Sequence, residues 1–269
     1  MRSPRSTPWT RLPFAVTFVL AGAIASTPVA AEDADPRVHG LPAALEDLPY
    51  RIGESCTFEI GYGPIKAGTA TISVVDTLSY FGQSVLHVRT RARSNRFFDA
   101  FFKVRDQATS YIDADSLFAR YHARSIREGG YEKNFEIHFD QVDGIAYEPD
   151  GGMVEFDPPI HDVLSAFFRV RTMPLEDGAV FDLPSHDDDK VHQLKISVIR
   201  RETRDTHLGR VRCVVVQPTL GNAGLFRSQG DLFVWFTDDE RRIPVLMKAT
   251  VPVGAIEARL IDYEAGGPD

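Results

Sequence analysis

The sequence predicts an all-β protein. Its core is a large antiparallel curved sheet, an open barrel or a sandwich, with one central α-helix packed against it. Three observations carry this expectation. From Tyr50 onward apolar and polar residues alternate with period two, segment after segment. Turn-forming residues separate those segments. A helical period with its own start and stop signals occurs near residues 162–172.

The N-terminus comes first. Arg2, Arg5 and Arg11 precede and enter the apolar stretch "LPFAVTFVLAGAIA", and "STPVAAED" follows. Val29 and Ala31 are the small residues that a signal peptidase accepts, so residues 1–31 read as a secretory signal cleaved after Ala31. The stretch is too short and wrongly flanked for a good membrane span. No later segment is apolar for long enough, so no transmembrane span is expected after cleavage. The expected location is periplasmic or secreted. Residues 32–49, "EDADPRVHGLPAALEDLP", mix charge, proline and glycine and read as a flexible leader. A single β domain is then expected over 50–265.

Along that domain, "SCTFEIGYG" and "IKAGTATISVV" alternate around a "GYGP" turn. "SVLHVRTRA" places Leu86, Val88, Thr90 and Ala92 on one face and His87, Arg89, Arg91 and Arg93 on the other. "VRDQATSYI", "FARYHARSI" and "EKNFEIHFD" continue the pattern through "DADS" and "EGGY". After the helix it resumes in "AVFDLPS", "KVHQLKISVIRRET", "RVRCVVVQP", "GDLFVWFTD", "IPVLMKATV" and "AIEARLIDYE". Residues 82–125 and 209–249 echo one another. Each runs from a glycine turn through an apolar strand to an aromatic-ended strand ("SYID", "VWFT"), an acidic corner and a returning strand. Two tandem β-meander halves, about 50–150 and 175–265, follow from this echo. The corner "TDDERRIP" is explained by turn chemistry: aspartates bond nearby N–H groups, and Pro244 suits the first residue of a returning strand.

Two segments break the alternation. "DPPIHDVLSAFFRVRTMP" offers Asp162 as N-cap and Pro174 beyond the end, with Val163, Leu164, Phe167, Phe168 and the stem of Arg171 as the inner stripe. "NRFFDAFFK" puts Phe97, Phe98, Phe101 and Phe102 on one face of a short helix or in a tight aromatic loop. Burying each ring is worth roughly 1.5–3 kcal/mol, so the quartet is expected to plug the open side of the sheet. A lid over an apolar ligand is its functional counterpart. Phe167, Phe168, Leu225 and Phe226 are candidates to share that cavity.

Other chemistry is thin. A formal charge of −8 opposes general nucleic-acid binding, which depends on phosphate neutralisation. No cofactor or metal site is expected, because no H-E-x-x-H, CxxC or phosphate-cradling loop occurs. His186, Asp187, Asp188, Asp189 and His192 could hold a cation, but a solvated hairpin turn explains them better. His161, Asp162 and Ser165 permit a hydrolase reading, without the G-x-S-x-G elbow. Arg89, Arg91, Arg93 and Arg124, extended by Arg105 and His122, form a candidate anion-binding face, for which cross-strand ion pairing is the plainer account. Cys56 and Cys213 both look buried, as a possible disulfide or as two free thiols.

Five separated stretches carry a family resemblance: "GYGPIKAGTATISV", "FFDAFFKVRDQATSYIDADSL", "HARSIREGGYEKNFEIHFD", "PPIHDVLSAFFRVRTMPLEDG" and "VWFTDDERRIPVLMKATVPVGAIEARL". Together, over about residues 50–263, they resemble the bacterial domain-of-unknown-function family 3108. That resemblance implies an exported, mostly β protein of the bacterial envelope. It implies no activity and no catalytic residues. Cys56 departs from the family, where an apolar residue is usual. The functional expectation is a non-catalytic module for an apolar or amphipathic ligand, such as a lipid. The alternatives are an envelope scaffold that binds other envelope proteins, and a hydrolase. A void above roughly 300 Å³ would favour ligand binding.

Overall fold

The computed structural model describes residues 47–187, 190–220, 231–251 and 254–267. The signal segment and the leader up to residue 46 lie outside them. The first half of the chain contributes β1 (Glu54–Tyr62), β2 (Ile65–Tyr80), β3 (Gln83–Ser94), β4 (Arg105–Asp113), β5 (Ala119–Glu128), β6 (Tyr131–Asp140), β7 (Ile145–Tyr147) and β8 (Met153–Glu155). The second contributes β9 (Val180–Asp187), β10 (Lys190–Thr206), β11 (Gly209–Leu220), β12 (Leu232–Thr237), β13 (Pro244–Thr250) and β14 (Ala255–Ala265). A single turn, α1 (Arg96–Asp99), links β3 to β4, and α2 (Val163–Arg171) stands between the halves.

All 14 strands form one sheet in the order β8-β7-β6-β5-β4-β3-β2-β1-β14-β13-β12-β11-β10-β9. Each half is therefore a meander in which every strand pairs antiparallel with its neighbour in sequence. The halves fuse where the first strand pairs with the last, from Glu54↔Ala265 to Tyr62↔Ile256. The sheet is not closed by strand pairing. The chain entering α2 bridges β5 and the edge strand β9 instead. Ile160 accepts a hydrogen bond from Ala119 N (3.2 Å) beside β5, while His161 N donates to Pro184 O (2.9 Å) on edge strand β9. Gln141 fixes this segment from both sides, accepting from Ile160 N and donating to Ile160 O, each at 3.0 Å. Part of an exposed strand edge is covered in this way.

The two echoing corners share one design. Asp113 accepts from Ser116 N and Oγ (2.9 and 2.8 Å) and pairs with Arg120 (2.8 Å). Asp239 accepts from Thr237 Oγ1 (2.6 Å) and pairs with Arg241 (2.7 Å). The left-handed residue is not an aspartate in either corner; it is Leu117 (φ 62°) in one and Arg242 (φ 48°) in the other. The carboxylates instead bond the turn's donors from one side, which frees a later residue to take the strained conformation.

The interior departs from the simple expectation of one shared apolar core. The main hydrophobic cluster takes in residues of β1 to β4, α2 and the whole second half. A smaller, separate cluster holds Ala119, Phe135, Ile137, Phe139, Ala146, Phe156 and Ile160. The inner face of β4 to β6 is partly polar, with Asp106, Ser110, His122, Arg124 and Lys133 all buried. Period two reports which face a residue occupies, not whether that face is apolar.

Candidate functional site

The site is built around α2. Asp162 is its N-cap: Oδ1 accepts from Leu164 N (2.7 Å) and Ser165 N (3.2 Å), and Ser165 Oγ accepts from Asp162 N (2.9 Å) to complete a capping box. The second carboxylate oxygen accepts from Ser110 Oγ (2.6 Å), and His122 Nδ1 stands 3.4 Å from Oδ1. The cap thus also pins the helix to the inner face of β4 and β5. The sequence did not single out Ser110, and it grouped His122 with the cationic row rather than with Asp162. Their only signal was a polar residue at an inward position of a strand.

At the other end, Arg171 donates to both oxygens of Glu54 on β1 (2.5 and 3.0 Å) and to Arg241 O (3.0 Å). Its guanidinium lies over the rings of Tyr50 (4.9 Å) and Phe168 (5.7 Å). The helix observed, Val163–Arg171, fits the predicted span, but it is buried on more than a single stripe. Leu164, Ser165, Ala166, Phe168, Val170 and Arg171 are all enclosed, because the curled sheet meets the helix from several sides.

Between α2 and the sheet lies an apolar pocket of about 100 Å³. The helix supplies Val163, Ala166, Phe167 and Val170, and the sheet supplies Ile72, Leu194, Ile196, Val216, Leu232, Val234 and Met247 among others. Every lining side chain is apolar. Such a site can exclude water and hold hydrocarbon, and it offers no group for acid–base or nucleophilic chemistry.

The sequence-predicted candidates divide as follows. Phe167 lines the pocket, whereas Phe168 turns away and packs edge-on against Tyr50 (4.8 Å). Phe226 and Leu225 lie outside the described residues. The plug expected of Phe97, Phe98, Phe101 and Phe102 is overturned. Phe97 and Phe98 lie in α1 and Phe101 and Phe102 follow it at the rim of the sheet, and none of the four lines the pocket. Phe97 is 68 % exposed and Phe101 76 % exposed. Their rings still gather, with Phe97 5.5 Å from both Phe98 and Phe101. The physical cause is the polar clamp beneath them. Asp99 accepts from Ser94 Oγ (2.5 Å) and from both terminal nitrogens of Arg105 (3.0 and 2.6 Å), which ties the turn to the strand ends and directs the rings outward.

The anion-face set also splits. Arg89, Arg91 and Arg93 share the outer face of β3, and Arg105 of β4 pairs opposite Arg93. Arg124 and His122 belong to the inner face. Arg124 pairs in register with Ala108, which pairs with Thr90, and all three are buried. Strand alternation carried them to the opposite side from the row they were expected to extend. Arg124 lies over the Phe135 ring at 4.8 Å.

Cys56 and Cys213 are both free and buried, so the possible disulfide is corrected. Three strands, β14, β13 and β12, stand between their own strands in the sheet. Burial pushes the Cys56 thiol up to about 12 and the Cys213 thiol up to about 11.

The hydrolase arrangement does not assemble either. Ser165 Oγ is committed to the capping box, donating to Asp162 O (3.1 Å). His161 packs against Phe118 (5.0 Å), its Nδ1 is buried without a hydrogen-bond partner among the described residues, and burial lowers its pKa to about 4. His186, read as part of a solvated turn, is in fact buried, with its ring 5.5 Å from Phe139. Asp188 and Asp189 lie outside the described residues. No group of three or more His, Cys, Asp or Glu placed to hold a metal occurs among the described residues. Nor is any helix there long and apolar enough to cross a membrane.

The fold and site together define a barrel-like, all-β protein whose curled antiparallel sheet encloses a helix and an apolar pocket. The chain belongs to DUF3108, a family of proteins of unknown function, which matches it over residues 57–261. Among solved structures, it resembles a β-barrel-like protein of the DUF1849 family from Brucella abortus. The two are 9 % identical with a TM-score of 0.52, over 81 % of this chain and all of that one (100 %). A DUF1089 family protein from Pseudomonas aeruginosa is 12 % identical with a TM-score of 0.36, over 62 % of this chain and 84 % of that one. The first likeness bears on the fold alone. No curated protein matches the sequence.

Proposed function

We propose that this is an exported, non-catalytic envelope protein whose pocket against α2 takes a slim apolar ligand, or the apolar tail of an amphipathic one. The observation that carries the reading is the lining: Val163, Ala166, Phe167 and Val170 face Ile72, Leu194, Ile196, Val216, Leu232, Val234 and Met247 with no polar side chain among them. Export rests on the N-terminal pattern of residues 1–31. The volume of about 100 Å³ falls below the roughly 300–1,000 Å³ of sites for drug-sized ligands, so the occupant is a single hydrocarbon chain or a small apolar molecule.

The same small volume favours a second reading, an envelope scaffold with a filled core. One experiment separates the two. Protein purified from its own cells is examined by native mass spectrometry, and an environment-sensitive fatty-acid probe is titrated into it. The Ala166→Leu and Val216→Phe variants, which fill the pocket, are titrated alongside. Ligand binding requires a bound apolar species or saturable probe binding that both variants weaken while the unfolding midpoint stays within a few degrees. Absence of both signals leaves the scaffold reading.

A further inference from the structure

By strand register, one edge of the sheet gathers the end of β1, the start of β2, the β3–β4 link carrying α1, the end of β5, the start of β6 and the β13–β14 turn. This edge exposes Phe97 and Phe101 together with Ile65, Tyr62 and Tyr131. The rim is built, not frayed. Asn95 caps α1 through Phe97 N and Phe98 N (3.0 Å each) and donates to Lys66 O (2.6 Å). Gly129 N bonds Lys103 O (2.8 Å), and a Cβ at Gly129 would stand 2.9 Å from the Phe102 ring. A Cβ at Gly254 would meet the Tyr62 hydroxyl at 3.0 Å.

Lys66, Arg96 and Lys103 are exposed beside these rings. Two of the acids nearby are met by cations, Asp99 by Arg105 (2.6 Å) and Glu59 by Lys66 (2.7 Å), and Glu132 lies opposite Arg127 in register. The opposite edge carries acidic turns whose carboxylates are met by arginines, Asp113 by Arg120, Asp239 by Arg241, and Asp238 by Arg201, Arg212 and Arg242. In a chain of net charge −8, exposed cations stand beside the exposed phenylalanines, on an edge that also carries Asp187 and Asp231.

We propose that this rim docks on an anionic lipid surface, with Phe97 and Phe101 entering the headgroup region and Lys66, Arg96 and Lys103 meeting lipid phosphates. Exposed aromatic rings flanked by Lys66, Arg96 and Lys103 suit an anionic bilayer interface. Docking stands whether or not the pocket is filled. If it is filled, Leu194, Pro218 and Leu232 extend its lining along β10, β11 and β12 toward the same edge.

The test uses the full chain with a single new thiol. Because Cys56 and Cys213 are buried, an environment-sensitive maleimide dye marks Phe101→Cys at the rim, or Phe81→Cys at the far edge as a control. Each is mixed with vesicles of equal parts phosphatidylcholine and phosphatidylglycerol, and with phosphatidylcholine alone. A blue shift at residue 101 and none at 81, with roughly tenfold or tighter binding to the anionic vesicles, is expected. Lys66→Gln combined with Arg96→Gln and Lys103→Gln should remove most of that preference. Equal shifts at both positions, or none at 101, overturn the proposal. So does a shift at 101 that grows with protein concentration without vesicles, which would make the rim a contact between two copies of the chain.

Discussion

Arg171, the last residue of the central helix, holds Glu54, the first residue of β1, in a two-pronged ion pair that solvent does not reach (2.5 and 3.0 Å). The two are 117 residues apart in sequence. Glu54 stands where β1 meets β14, so the pair ties the helix to the seam between the two meanders. The Tyr263 hydroxyl of β14 also reaches Glu54 (3.3 Å).

Removing one partner should therefore cost far more than removing both. Glu54→Ala strands a guanidinium in an apolar surround and is expected to lose about 3–5 kcal/mol, while Glu54→Leu with Arg171→Met should recover much of that loss. Urea unfolding of the three proteins measures the difference. Equal losses in the single and double variants would show that the pair is not buried as described.

Asp162 serves three partners at once: the first turn of its helix, Ser110 and His122. Loss of an exposed cap costs typically about 1 kcal/mol. Asp162→Ala should exceed that, because the buried Ser110 hydroxyl would lose its acceptor. Ser165→Ala, which removes the return bond of the capping box and the hydroxyl's bond to Asp162 O, should stay near about 1 kcal/mol. A thermal-shift comparison that ranks Ser165→Ala as the worse of the two would contradict this account.

His161 makes stability depend on pH in a definite direction. Burial lowers its folded pKa to about 4, against an ordinary value of 6.5. Between those values the unfolded chain binds the proton and the folded chain does not. Stability is therefore fully present above the unfolded value and declines as pH falls through the window, by on the order of 3 kcal/mol for this group. His87 and His138, also lowered chiefly by burial, act with the same sign. Urea midpoints for the parent and for His161→Gln, taken from about pH 7 down to about pH 4, should converge at the acid end. Parallel curves would remove His161 from the explanation.

The thiols should be inert while the protein is folded. Cys56 and Cys213 are buried, and burial holds both well above the usual thiol range, so little thiolate forms near neutrality. Ellman's reagent should react slowly with native protein and with both thiols in denaturant. Reductant should leave the unfolding midpoint unchanged.

Much of this architecture was legible along the chain. Alternation from Tyr50 onward marked the strands, the echo of 82–125 in 209–249 marked the two meanders, and Asp162 and Pro174 bracketed a helix now seen at Val163–Arg171. These features follow from local rules: strand period, turn chemistry and capping act within a few residues of one another.

What needed the tertiary structure was which surfaces meet. Arg124 and Arg91 belong to neighbouring runs of the same cationic pattern, yet one faces inward and the other out, because register between strands decides the face. The phenylalanines of 97–102 looked like a plug by composition. The clamp of Ser94, Asp99 and Arg105 turned Phe97 and Phe101 to solvent. The pocket itself joins Phe167 to Val216 and Leu232 across the sheet, a meeting set by how the two halves curl around the helix. Periodicity along the chain determined the elements. Their register and curvature, set by contacts between residues far apart in sequence, decided which side chains are enclosed and which face solvent.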